Sequence, residues 1–417
     1  MLSRSEVVEA LIRKLDDGEP QVAEAAEAAL TTIGDPSIPE LLEALSEAPL
    51  HLREVLIRVL SELRMPEAEV VGSVRSEMEV AYGLVAEQAT LEDLEESPGR
   101  DFLVEGLRVD YGERVRAVFR LLRAVGLGRE MDLIERGLRS KDRRVMAVAV
   151  EGMEKVIHSS IGRLLVPLVD ELPLWERLAT GAKAFGISSP PLEELLPRYL
   201  DSGDQVRQIG VCALLAERGE AQKWAEPLQR LAREGPPPVA SQARGALREE
   251  VEEEEMETEL TTLDKVLFLR KVELFRELDV RALTAIVTVA EERTAEPGVF
   301  LCRQGDEGES MFFIVAGAVQ VLREGPDGAH VELDEVGPPE VLGEMALFED
   351  KPRTASLCAR ERTTYLEISR VGFEWIMSEY PQVGAAASRT ISHRLRRVLE
   401  REDRLREGGT PPTDERI

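Results

Sequence analysis

Asparagine is absent from the 417 residues, so no Asn-X-Ser/Thr acceptor for N-glycosylation exists. Cysteine is scarce: Cys212, Cys302 and Cys358 form an odd, scattered set of three with no C-x-x-C spacing. That excludes a disulfide framework and a zinc site of the usual cysteine spacing, and it fits a reducing compartment. The four histidines, His51, His158, His330 and His393, lie far apart and read as surface or packing residues rather than ligands. No apolar run approaches the ~20 residues that a membrane helix needs. The opening MLSRSEVVEALIRKLDD carries acidic residues early and has no long apolar stretch, unlike a signal peptide. A cytoplasmic chain without a membrane span is the expectation. Positive charge is also short: 52 basic against 80 acidic residues leave a formal net charge of −28. Such a surface repels a phosphate backbone, and no concentrated basic patch offsets it, so nucleic acid is not an expected partner. Motifs of catalysis are missing as well. There is no P-loop, kinase glycine loop or G-x-S-x-G. Gly126-Leu127-Gly128 is too short for a dinucleotide site, and Ser159 and Ser160 beside His158 are not a catalytic arrangement. The sequence predicts no enzyme, no metal and no cofactor.

Aromatics are only 4% of the chain, while Ala, Leu, Val, Glu and Arg are plentiful, a composition that favours helices. The length allows two or three domains. Residues 1–248 alternate amphipathic helical segments with short polar breaks. Val7, Val8, Leu11, Ile12 and Leu15 lie at helical spacing, and Pro20 is placed to begin the next helix, which ends at Gly34. The phrases LDDGEPQVAEAAEAAL, LRSKDRRVMAVAVEGM and LDSGDQVRQIGVCALL align without gaps. Each has an Asp-containing turn suited to capping, then a helix with small residues that permit close packing. Residues 65–110 fit the rhythm poorly, interrupted by Pro66 and EESPGRD. The pattern resembles HEAT repeats, which implies a solenoid of stacked helix pairs that binds a protein partner. An irregular helical bundle is the alternative.

The acidic run EEVEEEEMETE lies within an expected linker over 249–261. TLDKVLFLRKVELFREL then reads as two short helices, and Asp279 is placed to cap a third, VRALTAIVTVAEE. Beyond it the hydrophobic period falls from 3.6 to 2. Six short runs, GVFLCRQ, MFFIVAG, AVQVLRE, HVELDEV, ASLCARE and TTYLEIS, are separated by turns rich in glycine. Pro326-Asp327-Gly328 between two of them predicts a hairpin. Short strands with regular turns argue for a small antiparallel roll. Two helical pieces follow, VGFEWIMSEY and VGAAASRTISHRLRRVLERED, and residues 403–417 are polar, rich in Gly and Pro, and expected to be disordered.

Within the roll, GPPEVLGEMALFEDKPRTASL (337–357) sets Gly343 and Glu344 ahead of Arg353, Thr354 and Ala355. Glycine admits a ligand close to the backbone, and the first turn of a helix offers free amides to an anion. An arginine fork fits phosphate, and a carboxylate accepts from sugar hydroxyls. Together they suit a sugar carrying one phosphate. The same order resembles the phosphate-binding cassette of the cyclic nucleotide-binding domain family, F-G-E-x-A-L followed by R-[TSA]-A. Gly298, Gly305 and Gly317 match that family's turns, and the resemblance covers residues 262–402. It implies that Glu344 takes the ribose 2′-hydroxyl, that Arg353 pairs with the cyclic phosphate, and that the amide of Ala346 helps hold it. Gly343 would permit the close approach, while Thr354 is linked to tolerance of cGMP. Leu342 departs from the family's aromatic and reads as packing. The final helix would act as a lid, with Arg394, Arg396 and Arg397 either touching the base or forming a solvated face. Too little chain follows for the helix-turn-helix of catabolite activator-type regulators.

The expected fold is therefore multidomain: an all-α HEAT-like solenoid (1–248), then a cyclic nucleotide-binding antiparallel β-roll with flanking helices (262–402). The expected role is to sense cAMP or cGMP and pass the change to a partner on the solenoid. Two alternatives stand beside it: Glu344 and Arg353 as a surface ion pair, and a protein scaffold whose roll binds no nucleotide.

Overall fold

The computed structural model describes residues 3–17, 19–48, 50–63, 67–123, 128–138, 140, 142–157, 159–170, 172–248, 259–325, 330–344, 347, 352–380, 383, 384 and 386. The acidic run before Glu259, the Pro326-Asp327-Gly328 turn, Ala346, the arginines of the final helix and the tail 403–417 lie outside these residues. The chain divides into two compact units, Met1–Glu95 with Leu107–Leu196, and Glu96–Gly106 with Pro197–Ile417.

The first unit is helical. Its elements are α1 (Arg4–Lys14), α2 (Pro20–Ile33), α3 (Ile38–Glu47), α4 (Leu50–Glu62), α5 (Glu67–Glu92), most of α6 (Pro98–Leu122), α7 (Gly128–Leu138), α8 (Arg143–Val156), α9 (Ser159–Val169) and α10 (Leu174–Phe185). Local chemistry sets several ends. Ser3 and Glu6 form a capping box on α1, Pro20 opens α2, and Gly34 closes it at φ +77°. Asp142 caps α8, accepting from the Arg144 amide at 2.8 Å. The first helix buries Val8, Ile12 and Leu15 but leaves Val7 exposed, so its buried stripe is narrower than the sequence suggests. Consecutive helices pack in pairs, α1 on α2, α3 on α4 and α7 on α8. The poorly fitting stretch 65–110 proves to hold two long helices, α5 of 26 and α6 of 25 residues. The EESPGRD stretch spans the end of the connection between them and the first turn of α6.

The second unit begins with the first residues of α6 and the end of α11 (Leu192–Leu200). It continues through α12 (Gln205–Glu217), α13 (Ala225–Glu234) and α14 (Pro237–Leu247). Then come α15 (Thr262–Leu269), a 3₁₀ turn (Glu273–Phe275), α16 (Val280–Val287) and the strands. These are β1 (Ala290–Ala295), β2 (Phe300–Cys302), β3 (Ser310–Ala316), β4 (Val319–Glu324), β5 (His330–Val336), β6 (Val341–Leu342), β7 (Ser356–Ala359) and β8 (Thr363–Ser369), followed by α17 (Arg370–Glu379). The strands form two four-stranded antiparallel sheets, in the orders β1-β8-β3-β6 and β2-β7-β4-β5. Alternate residues turn inward, so Ala295, Phe312, Ile314, Leu342 and Tyr365 of one sheet and Val319, Leu357 and Ala359 of the other share one core. Phe312 meets Tyr365 edge-on at 5.7 Å.

All six predicted runs contain strands, and β4 pairs with β5 along its length, as a hairpin requires. Two strands were not foreseen. The helix capped by Asp279, which accepts from the Arg281 and Ala282 amides at 3.0 Å, stops at Val287. Ala290–Ala295 becomes β1 because each of its residues pairs with β8; AEERTA has no apolar period to announce a strand. The other is the two-residue β6. The second of the two short helices expected after Thr262 is a 3₁₀ turn rather than an α-helix. No described helix is long and apolar enough to cross a membrane.

Gly317 joins β3 to β4 at φ +85°, and a Cβ there would sit 2.5 Å from the Arg362 carbonyl and 2.8 Å from Thr363 Cα. Both neighbours are backbone and cannot step aside. Gly317→Ala should therefore lose at least about 2 kcal/mol of stability, from the left-handed backbone and the clash together. A lowered denaturant midpoint at unchanged slope would register it.

Candidate functional site

Of the residues singled out in 337–357, Gly343 and Arg353 meet where β6 ends. β6 pairs with β3, Leu342 opposite Phe312, and so delivers Gly343 to the start of β3. Leu342 is buried in the roll's core, which agrees with a packing role. Gly343 has φ +82°, and a Cβ on it would meet Arg353 Nη1 at 2.4 Å and the Ser310 carbonyl at 3.3 Å. Only glycine leaves room for the guanidinium to lie against the chain here.

Arg353 is turned into the roll and is 6% exposed. Its Nη1 donates to the Gly343 carbonyl at 3.0 Å, and its Nη2 donates to the Ser310 carbonyl at 2.6 Å and more weakly to Ser310 Oγ at 3.4 Å. The guanidinium carbon stands 5.2 Å above the Phe312 ring, within cation–π range. Its Nε is buried with no hydrogen-bond partner among the described residues. A guanidinium carries five N–H donors, so this one keeps donors for an acceptor that the described residues do not supply. A polar group left in this way costs free energy unless something else satisfies it.

The backbone of Arg353 is braced from the turn after β2. The Gly305 amide donates to the Arg353 carbonyl at 2.9 Å, and the Arg353 amide donates to the Asp306 carbonyl at 2.8 Å. Asp306 Oδ2 closes the turn by accepting from the Arg303 amide at 2.8 Å. A second arginine, Arg370 at the head of α17, ties the other side: its Nη1 donates to the Leu347 carbonyl at 3.2 Å and its Nη2 to the Gly308 carbonyl at 3.0 Å. Cys302 packs against the same interior. Burial pushes its thiol up, while the positive charge of Arg353 pulls the other way. Burial also drives Cys212, in α12, up to about 12, which makes it a packing thiol rather than a nucleophile.

Glu344 is 6% exposed, as is Arg353, so a surface ion pair does not describe them. Thr354 is exposed and Ala355 half-buried. The structure thus brings Gly343 and Arg353 into contact and sets Glu344 next in the chain, while Ala346 lies outside the described residues. Ser310, Phe312 and Arg370 were not foreseen. Ser310 and Phe312 lie in MFFIVAG and its flank, where alternation marks only a strand, and nothing local to Arg370 signals its reach to Gly308. Among the described residues no group of three or more His, Cys, Asp and Glu side chains could hold a metal ion.

A buried carboxylate and a buried guanidinium thus lie beside a positive-φ glycine within an antiparallel roll. Residues 292–380 match the cyclic nucleotide-binding domain family, and the C-terminal part of the chain carries such a domain. A cyclic nucleotide-gated potassium channel of Mesorhizobium japonicum is 32% identical over 123 residues, 30% of this chain and 33% of that one. A cAMP-dependent protein kinase regulatory subunit of Dictyostelium discoideum is 30% identical over 119 residues, 28% of this chain and 36% of that one. Among solved structures, the Thermus thermophilus catabolite activator protein aligns at 27% identity over 32% of this chain and 62% of that one, with a TM-score of 0.31. The chain spans about a third of the length of the channel and of the kinase subunit.

Proposed function

We propose that this chain is a regulatory protein, not an enzyme, that takes cAMP or cGMP into the roll and passes the change to a helical region bound to a protein partner. Gly343, Glu344, Ala346, Arg353, Thr354 and Ala355 form the nucleotide site, with Arg353 on the cyclic phosphate and Glu344 on the ribose. The observation that carries this reading is the Arg353 guanidinium buried inside the roll against Gly343, whose positive φ and missing Cβ make room for it, with an Nε that no described residue satisfies. A phosphate oxygen is an acceptor of the right charge for it. The relatives described as cyclic nucleotide-gated and as cAMP-dependent support the ligand class. Residues 1–248 serve as a HEAT-like partner-binding segment, 249–261 as its acidic linker, 262–402 as the nucleotide-binding segment and 403–417 as a disordered tail. Three free cysteines suit a reducing, cytoplasmic setting.

Titration of cAMP and of cGMP into the full chain by calorimetry tests the reading. One-to-one binding of either, with a Kd below about 1 mM, is the expected result. No heat and no thermal shift with either nucleotide would leave the second reading, a protein scaffold. That alternative draws on the commitment of both Nη groups of Arg353 to the Gly343 and Ser310 carbonyls, contacts that a roll without ligand would also keep.

A further inference from the structure

The helices that precede the roll pack directly on its leading helices. α12 and α14 pack against α15, and α12 also against α16. The Leu263 amide lies in the first turn of α15, where no intrahelical acceptor exists. It donates instead to Oε1 of Gln242 in α14 at 2.8 Å, and Gln242 is 4% exposed. One residue earlier, the buried Thr262 hydroxyl donates to the Pro238 carbonyl at 2.6 Å. Asp204 makes two ties at once. Its Oδ1 caps α12 by accepting from the Arg207 amide at 3.0 Å, and its Oδ2 accepts from Arg281 Nη2, at the head of α16, at 2.7 Å. Burial works against the charge on Asp204, yet the Arg281 guanidinium together with the Arg207 amide and charge outweighs it and holds the carboxyl below its ordinary value. Glycines close the remaining gap. A Cβ on Gly106 would lie 2.7 Å from Val206 Cγ1, and one on Gly245 would lie 2.6 Å from Thr261 Cγ2.

On its other side α15 is bound to the roll. Lys265 Nζ pairs with Glu292 of β1 at 3.1 Å, both side chains largely buried. The Leu260 amide donates to the same carboxylate at 3.2 Å. Phe275, in the 3₁₀ turn after α15, packs at a tilt against Phe313 of β3 with centroids 5.4 Å apart, and β3 pairs with β6, which leads to Gly343. Contacts therefore tie the roll, through β1, to α15, and through β3 to the 3₁₀ turn that follows α15, while α15 in turn packs on α14 and α12.

We propose that α12, α14 and residues 96–106 are part of the sensing module, a seat clamped on α15 and α16 by Gln242 and Asp204, so that seat and roll open as one cooperative unit. The cooperativity stands without any nucleotide. Its use as the relay by which the roll signals to the helices rests on the function proposed for Arg353 and Glu344. In this arrangement one of the three aligned repeat-like phrases, LDSGDQVRQIGVCALL, works with the roll, while the other two belong to the first unit.

The test is hydrogen exchange on the full-length chain in mild denaturant, comparing wild type, Gln242→Leu and the cycle Asp204→Asn, Arg281→Gln and their double variant. Asn retains the cap on α12, so Asp204→Asn reports on the tie to Arg281. Gln242→Leu strands the buried Leu263 amide and should speed exchange about tenfold in α12 and α14. The proposal requires the same factor in β1, β3 and β8, and non-additivity in the Asp204–Arg281 cycle in both sets of peptides. Acceleration confined to α12 and α14, with the strands within about twofold of wild type, would overturn it, as would no change in either. Because the readout needs no ligand, its failure and a failed nucleotide titration are separate results.

Discussion

Arg353→Ala should reduce the affinity for cAMP or cGMP by about a hundredfold or more. Truncating one side of a buried, charge-assisted pair costs roughly 2–5 kcal/mol, and each 1.4 kcal/mol is a factor of ten in Kd. The side chain lies inside the roll at 6% exposure, so salt and water screen its charge little. The same substitution removes the donors to the Gly343 and Ser310 carbonyls. Two polar groups losing their partners should lower stability by about 1–3 kcal/mol. Loss of binding must therefore be measured on protein shown to be folded, by calorimetry at a temperature well below its transition. Arg353→Lys separates the two effects: it keeps the positive charge but loses the planar fork, and it should bind more weakly than wild type while remaining folded. Unchanged affinity in both variants would remove Arg353 from the site and the nucleotide reading with it.

Glu77→Ala should destabilise the first unit by about 3–5 kcal/mol. Glu77, in α5, is fully buried between two arginines. Its Oε2 accepts from Arg114 Nη1 of α6 at 2.8 Å, and its Oε1 is paired with Arg53 of α4. Those guanidiniums are themselves 5% and 13% exposed. Without the carboxylate, two positive charges face each other away from water, and desolvation that their pairing had offset is left uncompensated. The magnitude is a sizeable share of the roughly 5–15 kcal/mol that holds a typical domain. Urea unfolding would show the drop as a lower midpoint. The triad itself need not be a net gain over apolar packing. Joint replacement of Glu77, Arg53 and Arg114 by Leu or Met should recover much of the loss, and failure to recover it would show that the ion pairs stabilise in their own right.

Local patterning carried much of this molecule. Hydrophobic period separated helices from strands, and Asp142, Asp204 and Asp279 marked helix starts because a short acceptor before a helix has few other uses. Gly298, Gly305, Gly317 and Gly343 marked turns that all have positive φ. The six predicted runs each hold a strand, since an alternating apolar face must find a core. What patterning could not reach was anything settled by partners distant in the chain. AEERTA is a strand only because β8 lies beside it to pair with its backbone.

By itself the sequence determined that a helical stretch precedes a short-stranded roll, and that one Gly-Glu…Arg-Thr-Ala segment within it could meet a phosphate. Side-chain period, turn residues and capping are properties of neighbours along the chain, so they can be read without the fold. Only the tertiary structure decided that Arg353 lies against Ser310 and Phe312, that Glu77 is enclosed by Arg53 and Arg114, and that Gln242 and Asp204 hold the helices leading into the roll. Each of those depends on burial and on closure between segments far apart in sequence, where the cost of an unpaired polar group selects the partner.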